Sequence, residues 1–369
     1  MYCTFVQEDY KCELTRCKVQ FAVFMGAHNI EAGRTASALY EQMTSQCVLA
    51  EELGYDCVFL VEHHFNDYNL MTDPLQFAVR IFERTKRIKV GAAVIILPNH
   101  HPLQLAGRLA QLDVLYPGRF ITAVGRGSSG YEAQRFQTAM PAEDSRDHFY
   151  EHLQVMARAF ASDVDFGFNG RFFQFPELTL LPRPLTKPIP ELWLAGVTPP
   201  SIHGQVLNCS RLGIPAKIIT SPFRNPMSYV AEGYESFLRG LTETHVSRSD
   251  AFYAINRNVF VGSTMSEARA TLPRLMKIHH GLYQQLESKE RYVNGRTSLS
   301  SEISNTISED EILANMPIGD VEKVREHVAS YYALGVDMLS CYFDYSLPPE
   351  DVTRTMKMFA EKIMPYFKS

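Results

Sequence analysis

Eight short, β-prone apolar runs punctuate this chain, and a longer run of helical character follows each of them. KVQFAVFMG spans 18–26, CVFLVEHH starts at Cys57, KVGAAVIIL covers 89–97, and GRF leads into a fourth run at Phe120. ELWLAGV, AKIIT, FYAINRNVFVG and DMLSCYFDY complete the set. Strands that are apolar without alternation are those buried on both faces, as in parallel sheets covered by helices. Eight β-α units in order therefore predict an α/β chain folded as a (β/α)8 barrel, the TIM-barrel class. The punctuation agrees: Gly54 closes a helix predicted over 36–53, Pro74 and Pro102 open the next two, and Pro98 stops the third strand. One long helix is predicted from Tyr131 to Phe160.

Two stretches interrupt the rhythm. Residues 163–190 are aromatic and Pro-rich and read as an insertion after strand four. Phe166, Phe168, Phe172, Phe173 and Phe175 within it either border an apolar pocket or pack on the barrel's outer surface. Residues 287–311 are polar, lack a core pattern and read as an insertion after strand seven; long connections of this kind are mobile lids or disordered segments. The whole span 1–369 reads as a single domain carrying these insertions.

Composition excludes several functions. With 369 residues, 46% of them hydrophobic, the chain can bury one large core. A net charge of −5 supplies no basic field, so nucleic acid is not an expected partner. No apolar run is long enough to cross a membrane. The start, MYCTFVQEDYKCELTRCKVQ, is not patterned as a signal peptide, and a cytoplasmic location is the expectation. Seven scattered cysteines without C-x-x-C read as small hydrophobes rather than disulfide or zinc partners.

In such a barrel the loops after the strands' C-terminal ends build the active site. VEHHF, LPNHHP and VGRGSSGYE all fall at that position, after strands two, three and four. Adjacent His63 and His64 would point to opposite faces of a strand, and so would His100 and His101. One histidine from each pair could meet Glu62, but no metal-ligand spacing supports an ion, and none is expected. Gly125, Gly127 and Gly130 form a literal G-x-G-x-x-G. A dinucleotide fingerprint needs a first-strand position and an acidic residue about 20 positions on, at the end of the next strand. Here three β-α units precede the loop, and Asp144 and Asp147 fall in a helical stretch. The glycines instead let backbone and Arg126 approach a ligand, and a guanidinium there suits an anion.

EHHF at 62–65, RIKVGAAVIILPNHHPLQLA at 87–106 and LDVLYPGRFITAVGRG at 112–127 together resemble the bacterial luciferase-like flavin monooxygenases. The closing stretches PIGDVEKVREHVASYYALGVDMLSCYFD and MKMFAEKIMPYF resemble the family's ending. The resemblance implies a barrel that binds reduced FMN, supplied by a separate flavin reductase, and reacts it with dioxygen to a C4a-hydroperoxide that oxygenates a small, hydrophobic organic substrate, an aldehyde or a biosynthetic intermediate. It implies His63 as the catalytic proton carrier and Glu62 as a cofactor-site residue. Ala93 and Val94 would lie against the flavin ring, at a peptide bond that the family often carries in the cis form. Arg126 would sit near the flavin phosphate, and Glu132 matches an acidic position of undefined role. Gly125 stands where bacterial luciferase has a cysteine, implying a roomier cavity. Thr198 and Ser201 fall where the family carries a phosphate-binding hydroxyl run, which Pro199 and Pro200 interrupt here. A homodimer is also implied, with Gly107 and Ala110 on one helix as a close-approach pair. The competing readings are a deazaflavin-dependent oxidoreductase on a related barrel and a noncatalytic flavin-binding subunit.

Overall fold

Eight parallel strands close into a barrel in the computed structural model, which describes residues 19–29, 34–286, 291–298 and 307–368. They are β1 (Gln20–Met25), β2 (Cys57–Leu60), β3 (Lys89–Ile96), β4 (Phe120–Gly125), β5 (Leu192–Ala195), β6 (Lys217–Thr220), β7 (Phe252–Asn258) and β8 (Met338–Tyr342). Each pairs with its chain neighbours, and β1 pairs with both β2 and β8, which removes every edge. The predicted (β/α)8 barrel is thus the observed fold. CVFL of β2 and FITAVG of β4 are buried along their whole length. Phe59 and Trp193, with ring centroids 5.7 Å apart, are among the side chains filling the interior.

Local chemistry sets the helix ends. Asp73 accepts the N–H groups of Leu75 and Gln76, and Pro74 follows at the first helical position of Pro74–Phe82. Gly54 takes φ +82° after the helix Ala36–Glu52, a conformation that only glycine adopts without strain.

Three boundaries differ from the sequence reading. β2 stops at Leu60 rather than His64, because the His63 N–H turns away to the Met71 carbonyl (2.8 Å). The long helix is two, Gly130–Arg135 and Ala142–Ala161, separated at Pro141, whose ring disfavours helix in the residue before it. FYAINRNVFVG also divides: Phe260–Gly262 leaves the barrel and pairs with Ile318–Asp320.

Within 163–190, Phe166–Asn169 and Gln174–Leu178 form an antiparallel pair. Glu151, on the helix Ala142–Ala161, accepts the N–H groups of Arg171, Phe172 and Phe173 at 2.9, 2.8 and 2.7 Å. Phe172 and Phe173 pack on the His148 ring, so this aromatic segment covers an outer helix. Of the polar stretch 287–311, residues 287–290 and 299–306 lie outside the described residues. Between them Arg291–Val293 and Arg296–Ser298 form a hairpin, and Glu309–Asn315 is a short helix capped by Ser308. On the helix Pro102–Leu115, Ala110 is buried in the chain's own core while a Cβ on Gly107 would meet only open space. The two do not share one exposed seam. Among the described residues no helix is long and apolar enough to cross a membrane.

Candidate active site

A cavity of about 400 Å³ opens at the C-terminal ends of the barrel strands. His63, Glu62, Ala93, Val94, Gly125, Arg126, Thr198 and Ser201 all line it, so the structure brings every candidate site residue to one place. Glu132 lines it too.

Two carboxylates organise the histidines. Glu62, 2% exposed, accepts the Nε2–H of His64 at 2.9 Å, the Nε2–H of His100 at 3.0 Å and the Ile96 N–H at 2.9 Å. Burial alone would raise its pKa, but the hydrogen bonds from His100, His64 and Ile96 outweigh it and bring the carboxyl down to about 2. One histidine from each pair does meet Glu62, as a hydrogen-bonded unit. Among the described residues no group of His, Cys, Asp and Glu is arranged to hold a metal ion.

Glu132 is 1% exposed and sits in the first turn of Gly130–Arg135, whose cap is Ser129. Its Oε1 accepts from His63 Nδ1 at 2.9 Å, from the His64 N–H at 3.2 Å and from Asn66 Nδ2 at 3.4 Å. Its Oε2 is buried with no partner among the described residues. With Nδ1 committed to Glu132, the other ring nitrogen of His63, Nε2, is left for chemistry in the cavity.

On the neighbouring wall the Ala93–Val94 peptide is cis, and the register with β4 shifts there. A Cβ on Gly125 would lie 2.9 Å from Val94 Cγ2, so the room a glycine implies at 125 is already filled by Val94. Gly127, at φ +78°, likewise admits Ile96 Cγ2 where a Cβ would be 2.8 Å away. Arg126 is exposed at the rim and makes no hydrogen bond or ion pair among the described residues. Partial burial and the nearby Arg146 charge both depress its pKa, a field that an anion would relieve.

Thr198 and Ser201 spend much of their bonding on each other. Thr198 Oγ1 accepts the Ser201 N–H at 3.3 Å, and Ser201 Oγ accepts the Thr198 N–H at 2.9 Å, a capping box for Pro199–Leu212. Pro199 and Pro200 have no N–H, and the Ile202 N–H is bonded to Thr198 O. This helix start therefore offers a ligand the Thr198 hydroxyl proton rather than amides.

Two features escaped the sequence reading. Asn256 and Asn258 of β7 and His279 of the helix Met265–Leu286 form a polar patch in the cavity wall. The available signal was an asparagine at i and i+2 near the end of an apolar barrel strand, which places both on one face. Asp67, 6% exposed, accepts from the Thr297 N–H (2.7 Å) and Thr297 Oγ1 (2.6 Å), and its own N–H bonds Gly295 O at 2.8 Å. The 291–298 hairpin is thereby fastened to the loop that carries His63.

A family model described as luciferase-like monooxygenase matches residues 19–338. The oxygenase component of a flavin-dependent trigonelline monooxygenase from Acinetobacter baylyi is 23% identical over 361 residues, covering 95% of this chain and 96% of that one. The monooxygenase RslO1 from Streptomyces bottropensis superposes with a TM-score of 0.80 at 24% identity, over 94% of this chain and 99% of its own. An F420-dependent secondary alcohol dehydrogenase gives a TM-score of 0.77 at 19% identity, over 95% and 100% of the two chains.

Proposed function

With the match running over residues 19–338, the chain belongs to the luciferase-like monooxygenase family and is a flavin-dependent monooxygenase, and we propose that it uses reduced FMN to insert one atom of dioxygen into a small organic substrate. The observation that carries this reading is the His63–Glu132 pair, with Nε2 free, set in the same cavity as an anion-seeking Arg126 and the Ala93–Val94 wall. Bound reduced flavin supplies the electrons that activate dioxygen, which side chains cannot do.

The residues present fit such a group. Arg126, without a partner of its own among the described residues, and the Thr198 hydroxyl suit a phosphate, with Ser201 holding Thr198 in place. Ala93, Val94 and Gly125 present an apolar surface to a ring, and Gly125 lets the Val94 side chain sit close against β4. Glu62 fixes this wall from behind through the Ile96 N–H and pins His64 and His100. Glu132 holds His63 in the tautomer with a proton on Nδ1, so that Nε2 takes or gives the proton moved during oxygen transfer.

The name of the Acinetobacter relative, an oxygenase component, supports a separate flavin reductase as the source of reduced cofactor. The likeness to an F420-dependent dehydrogenase favours one competitor, hydride transfer with a reduced deazaflavin. Anaerobic titration with reduced FMN and with reduced F420, followed by rapid mixing with oxygenated buffer, separates the two. We expect tighter binding of reduced FMN and a near-ultraviolet absorbance that outlives the autoxidation of free flavin. His63→Ala should bind FMN with similar affinity but shorten the life of that signal. Immediate formation of oxidised FMN at the free-flavin rate would overturn the proposal, and preference for F420 would establish the competitor.

A further inference from the structure

The cavity wall formed by β7 and the helix Met265–Leu286 is rich in buried polar atoms that the flavin reading leaves unused. Asn256, 8% exposed, gives its Nδ2 to Ser221 Oγ at 3.4 Å, and its Oδ1 has no partner among the described residues. Asn258 Oδ1 accepts from His279 Nε2 at 3.2 Å, and its Nδ2 is likewise buried and unpartnered. His279, 3% exposed, keeps an unpartnered Nδ1. Burial, with the charges of Arg224 and Arg257 behind it, lowers the His279 pKa to about 4, so the ring is neutral. A neutral ring that donates from Nε2 has a lone pair on Nδ1. Ser340 stands in register beside Asn256 on β8, and its Oγ is also buried without a partner among the described residues.

Buried polar atoms left unsatisfied cost stability, typically about 1–3 kcal/mol each, and Asn256 Oδ1, Asn258 Nδ2 and His279 Nδ1 gather on residues that line one cavity, where a ligand can satisfy them. Its place in the barrel says which ligand. Round the ring, β7 lies four strands from β3 and therefore faces it across the mouth. If the flavin ring lies on the Ala93–Val94 wall, the β7 wall confronts the space beyond it.

We infer that Asn256, Asn258 and His279 form the substrate-recognition wall, and that the substrate presents a polar edge bearing both a hydrogen-bond donor and an acceptor. A carboxamide, a lactam or a nitrogen heterocycle with such an edge fits; a long hydrocarbon chain or simple aldehyde does not, because it would leave these groups unpaired. The expectation of a hydrophobic substrate is thereby narrowed to one that also carries such a polar edge. The inference rests on the flavin reading, since the flavin's own pyrimidine edge carries the same donor and acceptor chemistry.

The test is saturation-transfer NMR on the full chain loaded with oxidised FMN, using nicotinamide, benzamide and 2-pyridone as polar probes and toluene and decanal as apolar ones. Asn256→Leu and Asn258→Leu, nearly isosteric changes, are compared with wild type, with FMN affinity read separately from flavin fluorescence. We expect saturable binding of at least one polar probe, weakened about tenfold by either substitution, with FMN affinity unchanged. Three results would overturn the inference: an apolar probe binding as well as any polar one, polar binding indifferent to both substitutions, or FMN affinity falling as far as probe affinity. The last would give the wall to the flavin edge. Should a leucine variant fail to fold, Asn258→Asp removes the same donor at constant size. Failure of wild type to hold FMN in either the oxidised or the anaerobically reduced form would sink the cofactor assignment instead, and the same probe comparison on the flavin-free chain would still decide the wall.

Discussion

Glu62→Gln is the most informative single change at this site, because it alters one charge and almost no volume. The carboxylate accepts three N–H groups, from His64, His100 and Ile96. A glutamine has one oxygen and a donating NH2 in place of the second oxygen, so at least one of those donors is left buried without an acceptor. The Glu62 carboxyl is lowered from 4.5 to about 2, and such a displacement corresponds to about 3 kcal/mol of stabilisation of the charged form. At an unfolding entropy of about 2.1 cal/mol/K per residue, a 369-residue chain shifts by about 4 °C for that loss.

The pH dependence provides the control. A group whose folded pKa is depressed contributes its stability above the unfolded pKa and loses it as pH falls through the folded value. The gap in Tm between wild type and Glu62→Gln should therefore be full at pH 7, start to narrow below about pH 4.5 and shrink towards pH 2. Differential scanning calorimetry from pH 7 downward reads this directly, and using the gap rather than either curve cancels the other carboxylates. A variant as stable as wild type at pH 7, or a gap that stays constant down to pH 3, would refute the hydrogen-bonded account of Glu62.

His63→Gln should lower substrate turnover about 100-fold or more while FMN affinity changes little, and Glu132→Gln should lower it less and shift the pH profile; equal loss of FMN affinity in a fluorescence titration would remove His63 from the chemistry. Gly125→Ala places a Cβ 2.9 Å from Val94 Cγ2 and should destabilise by about 1–3 kcal/mol, with Val94→Ala restoring part of the loss. Strict additivity in that double-mutant cycle, measured by denaturation, would contradict the contact. Asp67→Ala removes both bonds to Thr297 and the ion pair to Arg296, so trypsin should cut after Arg296 faster while the barrel stays intact; an unchanged cleavage rate would show that the hairpin is held by other contacts.

What the sequence made legible follows from how each feature is encoded. The barrel was readable because its signal is spread over the chain: eight apolar runs, with Pro74, Pro102 and Gly54 punctuating the helices between them. The positions of His63 and Arg126 were readable for a related reason, since each stands just past a strand end and strand ends converge in a barrel, whereas Ala93 and Val94, inside β3, were placed only by the family resemblance. Partnerships were not readable in the same way. His63 is 69 residues from Glu132, and nothing local says that Glu132 Oε1, rather than Glu62, reaches Nδ1 of His63. The end of β2 is hidden for the same reason, because what ends it is a hydrogen bond from His63 to Met71 across a loop.

The Asn256–Asn258 wall stands between these cases. Its periodicity is visible in the sequence, but polar residues at i and i+2 on a strand ordinarily mark a solvent-exposed face. In a closed parallel barrel neither face of a strand meets bulk water, so the same pattern has another meaning. The polar face looks into the cavity, where Asn256 Oδ1 and Asn258 Nδ2 have no partner among the described residues and call for a ligand or water. Set on a closed barrel, FYAINRN marks a polar stretch of the cavity wall as clearly as EHHF marks the side that carries His63.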